Sequence, residues 1–250
     1  GQGKLSSELR RKLEACSSKA ELEDLYAPYK KRRKTRADNA RARGLAPLAE
    51  LVLRQPRQGS PQGEARRFVD TSKGVPDVES ALAGARDIVA ESIALEPSRR
   101  SRIRVELGKH GRLEASLNKK SENAAQFRDY HSHSERVERM PSHRYLAVCR
   151  GEDEGALKLK LGMDLDLTLR QLLRGCRYFP RSPFGEEFES AAEDALKRLL
   201  LPAAQRAVRS ELKERADDEA INVFQKNLEA LLLAAPLGSK PVLGVDPGIR

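Results

Sequence analysis

The chain has 250 residues, a formal net charge of +10, 34% charged residues, only 4% aromatic residues and no tryptophan. That length allows one large or two small domains with a sizeable core, which Leu, Ala, Val and Ile must build. No apolar run approaches the roughly 20 residues of a membrane span, and the opening GQGKLSSELRRKLEAC lacks the apolar centre of an export signal. An unexported, cytoplasmic protein is expected, with no membrane partner. Cys16, Cys149 and Cys176 are odd in number, far apart and outside any CxxC spacing, which fits reduced thiols.

Leu5, Leu9, Leu13 and Cys16 recur at helical spacing. Ser18-Lys19-Ala20-Glu21 has the form of a capping box opening a second helix, with Leu22, Leu25 and Tyr26 on one side, up to Pro28. The run 30–36, KKRRKTR, holds six cations in seven positions. A short helix over 37–43 closes on Gly44 as a left-handed cap, and another spans 46–53 with Pro47 near its start. Residues 55–64 read as a polar Pro/Gly loop, followed by a short helix over 66–69. Pro76 opens a long helix with Val78, Leu82, Ala85, Val89 and Ile93 on its buried stripe. After Pro97 a basic helix over 98–108 turns Ile103 and Leu107 inward and Arg99, Arg100, Arg102 and Arg104 mostly outward.

The middle differs. Residues 111–120 and 155–161 are the strand candidates; in the second, Leu157, Leu159 and Leu161 alternate with Lys158 and Lys160. Residues 141–150 suit helix or strand equally. Three helical stretches follow, at about 186–200, 203–216 and 218–235, punctuated by Pro202 and by Asp217–Glu219. Residues 241–248, PVLGVDPG, read as an apolar strand entering a turn. No repeat of 20–50 residues is visible.

Charge is unevenly placed. Residues 1–54 carry 14 Lys/Arg against 7 Asp/Glu, residues 99–120 carry 8 against 2, and residues 186–229 carry 7 against 11. A basic first half suits a nucleic-acid partner, since each cation that neutralises a phosphate releases counterions. The candidate phosphate contacts are Lys30, Lys31, Arg32, Arg33, Lys34 and Arg36, with Arg99, Arg100, Arg102 and Arg104 as a second patch. Against this stands a plain solvated loop. Tyr26 and Tyr29 could stack on bases, although core packing is the better expectation for Tyr26.

Other chemistry has less support. His131 and His133 form an HxH pair without a Cys or carboxylate cluster at ligand spacing. Ser142-His143 lacks an orienting third group, so Ser142 is expected to cap a helix and Arg144 to make a structural or phosphate contact. No glycine-rich phosphate cradle occurs. No catalytic residue, metal or cofactor is expected.

Five blocks, taken in order, resemble the Tex family of bacterial transcription accessory proteins. They are LEDLYAPYKKRRKTRADNARARGLAPLAELVL at 22–53, FVD with GVPDVESALAGARDIVAE at 68–91, FRDY at 127–130, MPSHRYLAVCRGEDEGALKLKL at 140–161, and residues 196–238 followed by LGVDPGIR at 243–250. His131-Ser132-His133 departs from the aromatic and acidic residues usual after RDY. The resemblance implies a longer protein that continues into a YqgF (RNase H-like) domain, a helix-hairpin-helix segment and an OB-fold RNA-binding domain. It implies a mainly α, multi-helical fold with helix-turn-helix character and a small β element in the middle. The divisions expected are an N-terminal helical domain over 1–108, a mostly helical central region over 109–240, and over 241–250 the truncated first strand of the RNase H-like domain. The function implied is nucleic-acid binding, RNA above all, in transcription, with the transcription machinery as a further partner and this chain as helical scaffold. Asp246 would be the first-strand carboxylate of a metal-dependent nuclease, so a truncated YqgF-type nuclease or junction-processing enzyme is one alternative. A helical protein-binding adaptor is the other.

Overall fold

The computed structural model describes residues 7–16, 22, 25–26, 34–119, 121–236, 238–239 and 241–246. The fold is mainly α with one small antiparallel sheet. After α1 (Ser7–Glu14) come α2 (Arg36–Ala42), α3 (Ala46–Arg54) and α4 (Pro61–Ala65). Thr35 and Asp38 form a reciprocal capping box at the start of α2, each side chain accepting the other's backbone N–H at 3.0 Å. Gly44, at φ +85°, ends α2 as expected and lets Leu45 turn into the core. The expected loop at 55–64 is partly helix: Ser60 caps α4 by accepting the Gly63 N–H at 3.2 Å, and Pro61 opens it, where a missing amide hydrogen costs nothing. Residues 66–68 make one 3-10 turn.

The long helix α5 (Val78–Leu95), capped by Asp77, is the centre of the helical layer. Leu82, Ala85, Val89 and Ile93 are buried as expected, Val78 partly, but so are Ala81, Gly84, Ile88, Ala90, Glu91 and Ala94. A helix apolar nearly all round is enclosed on all sides, here by α2, α3, α4 and the later α9 (Gly185–Asp194). Its one buried carboxylate, Glu91, accepts from Thr35 Oγ1 at 2.9 Å and from Arg41 Nη1 at 2.6 Å.

Helix α6 (Pro97–His110) leads into β1 (Arg112–Leu117), the middle strand of a sheet ordered β2 (Ser132–Arg136), β1, β3 (Leu157–Gly162). Both pairings are antiparallel; Leu113 faces Glu135 on one side and Leu161 on the other. Leu157 and Leu161 are buried while Lys158 and Lys160 are exposed, the alternation read from sequence. Between β2 and β3, the ambiguous segment is helix α7 (Ser142–Asp153).

After α8 (Leu165–Gly175), one nearly continuous helix replaces the three stretches expected. Helix α9 passes through a π turn at Ala195–Leu200 into α10 (Leu201–Leu232). The wider i→i+5 turn directly before Pro202 makes room for its ring and its missing N–H, so the helix continues through this proline. Asp217 does not break α10 either; it pairs with Lys213 at 2.6 Å. Ala204, Val208, Leu212 and Ala216 are buried, and α10 packs on α6 and α7 there. Beyond them Ile221, Phe224, Leu228 and Leu231 are exposed.

The strand expected at 241–248 is not formed over the described part. Residues 241–246 are irregular, and Val242, Leu243 and Val245 are exposed, because a strand exists only against a neighbour that takes its backbone hydrogen bonds. No described helix is long and apolar enough to cross a membrane.

Arg104 departs from the outward orientation expected. It is only 8% exposed, with Glu211 of α10 at 3.5 Å from Nη1.

Three outcomes follow from this packing. A Cβ on Gly84 would run into Leu45 Cδ1 and stand 3.4 Å from Ala40 Cβ. Gly84→Ala should therefore destabilise by roughly 1–3 kcal/mol despite the better helix propensity of alanine, read as a fall in Tm. Arg104→Ala should cost about 1–3 kcal/mol, below the range for a fully buried pair because Glu211 is half exposed, whereas Arg102→Ala should stay within about 0.5 kcal/mol; equal Tm shifts for the two would contradict the assignment. Deleting residues 241–250 should leave Tm unchanged and reduce aggregation measured by light scattering.

Candidate nucleic-acid interface

Thr35, within the basic run, is tied into the folded body. Its hydroxyl closes the capping box of α2 and also donates to Glu91, and Arg41, six residues later, grips the other oxygen of that carboxylate. The end of the run is thus fixed to the central helix. Lys34 and Arg36, on either side of Thr35, are exposed, and the Arg36 charge reaches Asp87. Burial raises the Asp87 carboxyl, and the Arg198 and Arg36 charges oppose that rise. Lys30, Lys31, Arg32, Arg33 and Tyr29 lie outside the described residues. Tyr26 is 52% exposed, so the core packing expected for it is not observed.

The second predicted patch divides by helical geometry. Consecutive residues on α6 are separated by about 100°, so four arginines within six positions cannot share one face. Arg102 is exposed, Arg99 and Arg100 are half-buried, and Arg104 points inward beside Ile103 and toward α10. Arg104 is a structural cation and leaves the candidate set. Arg99 and Arg102 line a cleft of about 370 Å³ where the start of α6 meets the end of α8, with Gln171, Leu172 and Gly175 opposite. Arg102 Nη1 stands 3.9 Å from the place a Cβ would take on Gly175. Burial pushes the Cys176 thiol up, and the neighbouring Arg99 charge partly offsets this.

Several arginines of the folded body answer a carboxylate on another element. Arg41 meets Glu91, Arg86 meets Glu187 at 3.2 Å, Arg144 meets Glu135 at 2.8 Å, Arg198 meets Asp87 at 3.2 Å and Arg209 meets Glu152. These pairs join separate elements and add no net charge to the surface. Arg99 and Arg102 have no carboxylate within ion-pair distance among the described residues. The wall across from them was not singled out by sequence reasoning. Residues 174–181, RGCRYFPR, hold three arginines, two aromatics and no carboxylate, and that composition was the available signal.

The remaining candidates resolve into structure. His133 Nε2 lies 3.2 Å from Glu135 and its ring meets Tyr130 edge-on at 5.6 Å. Among the described residues no three His, Cys, Asp or Glu side chains converge as metal ligands. Ser142 is not a cap: Pro141 holds the N-cap position of α7 without a side-chain hydrogen bond, and Ser142 is the first helical residue, buried, with His143 exposed beside it. Arg144 binds Glu135 through both carboxylate oxygens at 2.8 Å, a structural contact between α7 and β2. Asp246 lies on the exposed irregular segment.

Comparison with known proteins agrees with this architecture. The profile of the family described as Tex central region-like matches residues 56–224. Over its whole length the chain is 38% identical to Protein YhgF of Escherichia coli and 38% identical to Protein tex of Bordetella pertussis, covering 33% of each. It is also 30% identical to the human S1 RNA-binding domain-containing protein 1, covering 26% of that protein. The chain thus spans about a third of the length of the bacterial relatives it matches. By the extent of the profile match and by these identities, the chain belongs to the Tex central region-like family.

Proposed function

We propose that this chain is the helical scaffold of a cytoplasmic transcription accessory protein and docks nucleic acid, RNA above all, without performing catalysis of its own. The observation that carries this reading is the distribution of charge. The interior arginines are spent on internal carboxylates, so the excess of +10 is left to exposed cations such as Lys34, Arg36 and Arg102. A surface of that kind holds phosphates by counterion release and reads no sequence. The names of the relatives support the same reading: one is a Transcriptional accessory protein Tex, from Neisseria gonorrhoeae, and others carry an S1 RNA-binding domain in their name. The transcription machinery is the further partner this reading implies.

A protein-binding adaptor is the second reading. It draws on the outer half of α10, where Ile221, Phe224, Leu228 and Leu231 recur at helical spacing and are exposed.

The test is a salt titration. Binding of the chain to an RNA oligonucleotide should be non-specific, with log Kd changing linearly with log salt. Replacing Lys31, Arg32, Arg33 and Lys34 together by Ala should flatten that slope by roughly 0.7 for each phosphate of the single strand that is no longer neutralised. Fold should survive, as read by circular dichroism. Affinity that is high and indifferent to salt would overturn the reading, and retention of an acidic protein partner instead would favour the adaptor.

A further inference from the structure

Beside the Arg99–Arg102 cleft lies a second one of about 380 Å³, between the end of α3 and the segment that follows α8. Gln55, Arg57, Cys176, Arg177 and Phe179 line it. Gly175 lines the first cleft, and Cys176 and Arg177, which follow it directly in the chain, line the second. Together they present Arg54, Arg57, Arg99, Arg102 and Arg177 against one carboxylate, Glu96. Of these, Arg54 is answered by Glu50 at 3.2 Å. Arg57, Arg99, Arg102 and Arg177 have no carboxylate within ion-pair distance among the described residues.

The backbone of this place is unusual as well. Among the described residues only two non-glycine positions have positive φ, Gln55 at 47° and Arg177 at 54°, and both line the second cleft. Each follows a helix end, where glycine is the residue of least strain and a side chain costs about 1 kcal/mol. For Gln55 the compensation is visible: its Oε1 accepts the Phe179 N–H at 2.7 Å and its side chain is buried. Ser182 Oγ adds a second link by donating to the Pro56 carbonyl at 2.7 Å. The two loops are therefore tied together as one firm wall, over which the Arg57 guanidinium lies 5.9 Å from the Phe179 ring centroid. Arg177 closes α8 in a Schellman turn: its N–H donates to the Arg174 carbonyl at 3.2 Å and the Tyr178 N–H to the Leu173 carbonyl at 3.1 Å. Its side chain is exposed and lines the second cleft.

We propose that the two clefts form one trough that holds the phosphodiester backbone of single-stranded nucleic acid, with Arg57, Arg99, Arg102 and Arg177 as the phosphate contacts and Phe179 as the surface on which a base stacks. The proposal rests on the nucleic-acid reading above and places its site away from the Lys30–Arg36 run. Arginine suits the task because its planar fork binds phosphate oxygens in pairs and lies flat on an aromatic face. A single strand is the fitting occupant because clefts of this size admit one nucleotide-sized group at a time, and because a stacked base must be free of a pairing partner.

The experiment uses the 250-residue chain with two fluorescent probes, an oligouridylate of about 20 nucleotides and a duplex DNA of about 20 base pairs, each titrated at several salt concentrations. For the variant R57A/R102A/R177G, Kd for oligouridylate should rise by about tenfold or more, and the salt slope should fall by roughly two units, about 0.7 for each of three phosphates. R177G alone should weaken binding while holding or raising Tm, because glycine relieves the positive φ. A purely structural arginine would show the opposite pair of effects. Phe179→Leu should weaken oligouridylate binding severalfold with the slope unchanged, since stacking releases no counterions. If the triple variant binds oligouridylate as the parent does, the trough is overturned while the nucleic-acid reading stands on other basic residues. If the parent binds the duplex more tightly and loses it equally in the variant, the single-strand assignment is overturned. If the parent binds neither probe, the trough and the reading beneath it fall together.

Discussion

Enclosure of α5 is the constraint on which the rest of the architecture depends. With Ala81, Leu82, Gly84, Ala85, Ile88, Val89, Ala90, Ile93 and Ala94 all buried, that helix has almost no face to offer water. Elements on both sides of it in sequence must close around it, and α2, α3, α4 and α9 do so. Small residues set how close they come: Gly84 lets Leu45 and Ala40 approach where any side chain would hold them off. The buried carboxylate of that helix, Glu91, is held by Thr35 and Arg41, since a buried carboxylate left without partners would cost several kcal/mol. A packing requirement thereby fixes Thr35, between the exposed cations Lys34 and Arg36, to the central helix.

The same economy governs the other charges. Arg86, Arg144, Arg198 and Arg209 each tie one element to another through a carboxylate. These are interior fastenings, and a cation neutralised in this way exerts little field on a distant polyanion. Arg104 shows how the distinction is made: one turn of helix separates it from Arg100, and its direction places it against α10 instead of solvent. Formal charge along the sequence is therefore a poor map of the field outside, and the arginines around Gly175–Arg177 matter more than their number suggests.

Much of the fold was legible because periodicity is a local property. Leu82, Ala85, Val89 and Ile93 announced α5, Leu157, Leu159 and Leu161 announced β3, and Gly44 announced the turn after α2. What was missed depended on partners remote in sequence. Strand β2, SHSER, has no apolar alternation of its own and is a strand because β1 offers it hydrogen bonds. Pro202 read as a break because the π turn that accommodates it has no sequence mark. Arg104 read as a surface cation because its partner, Glu211, lies far along the chain. The candidate site was half legible: Arg99 and Arg102 were named, but Arg57 and Arg177 share the second cleft from two different loops that only folding brings together.

Helix α10 is one element by its backbone hydrogen bonds and two by its packing. Up to Ala216 one face of it is buried against α6 and α7; from Asp218 to Leu232 every residue is exposed. An isolated helical stretch of about 15 residues is marginal in water, since nucleation is costly and each further turn gains little. The inner half shares the cooperative stability of the core, whereas the outer half is held by propensity and by its covalent continuation from the inner half. Its amides should open by fraying from the far end at a free energy well below that of global unfolding. The long helix is thus graded along its length, firm where it belongs to the body and increasingly willing to melt as it leaves it.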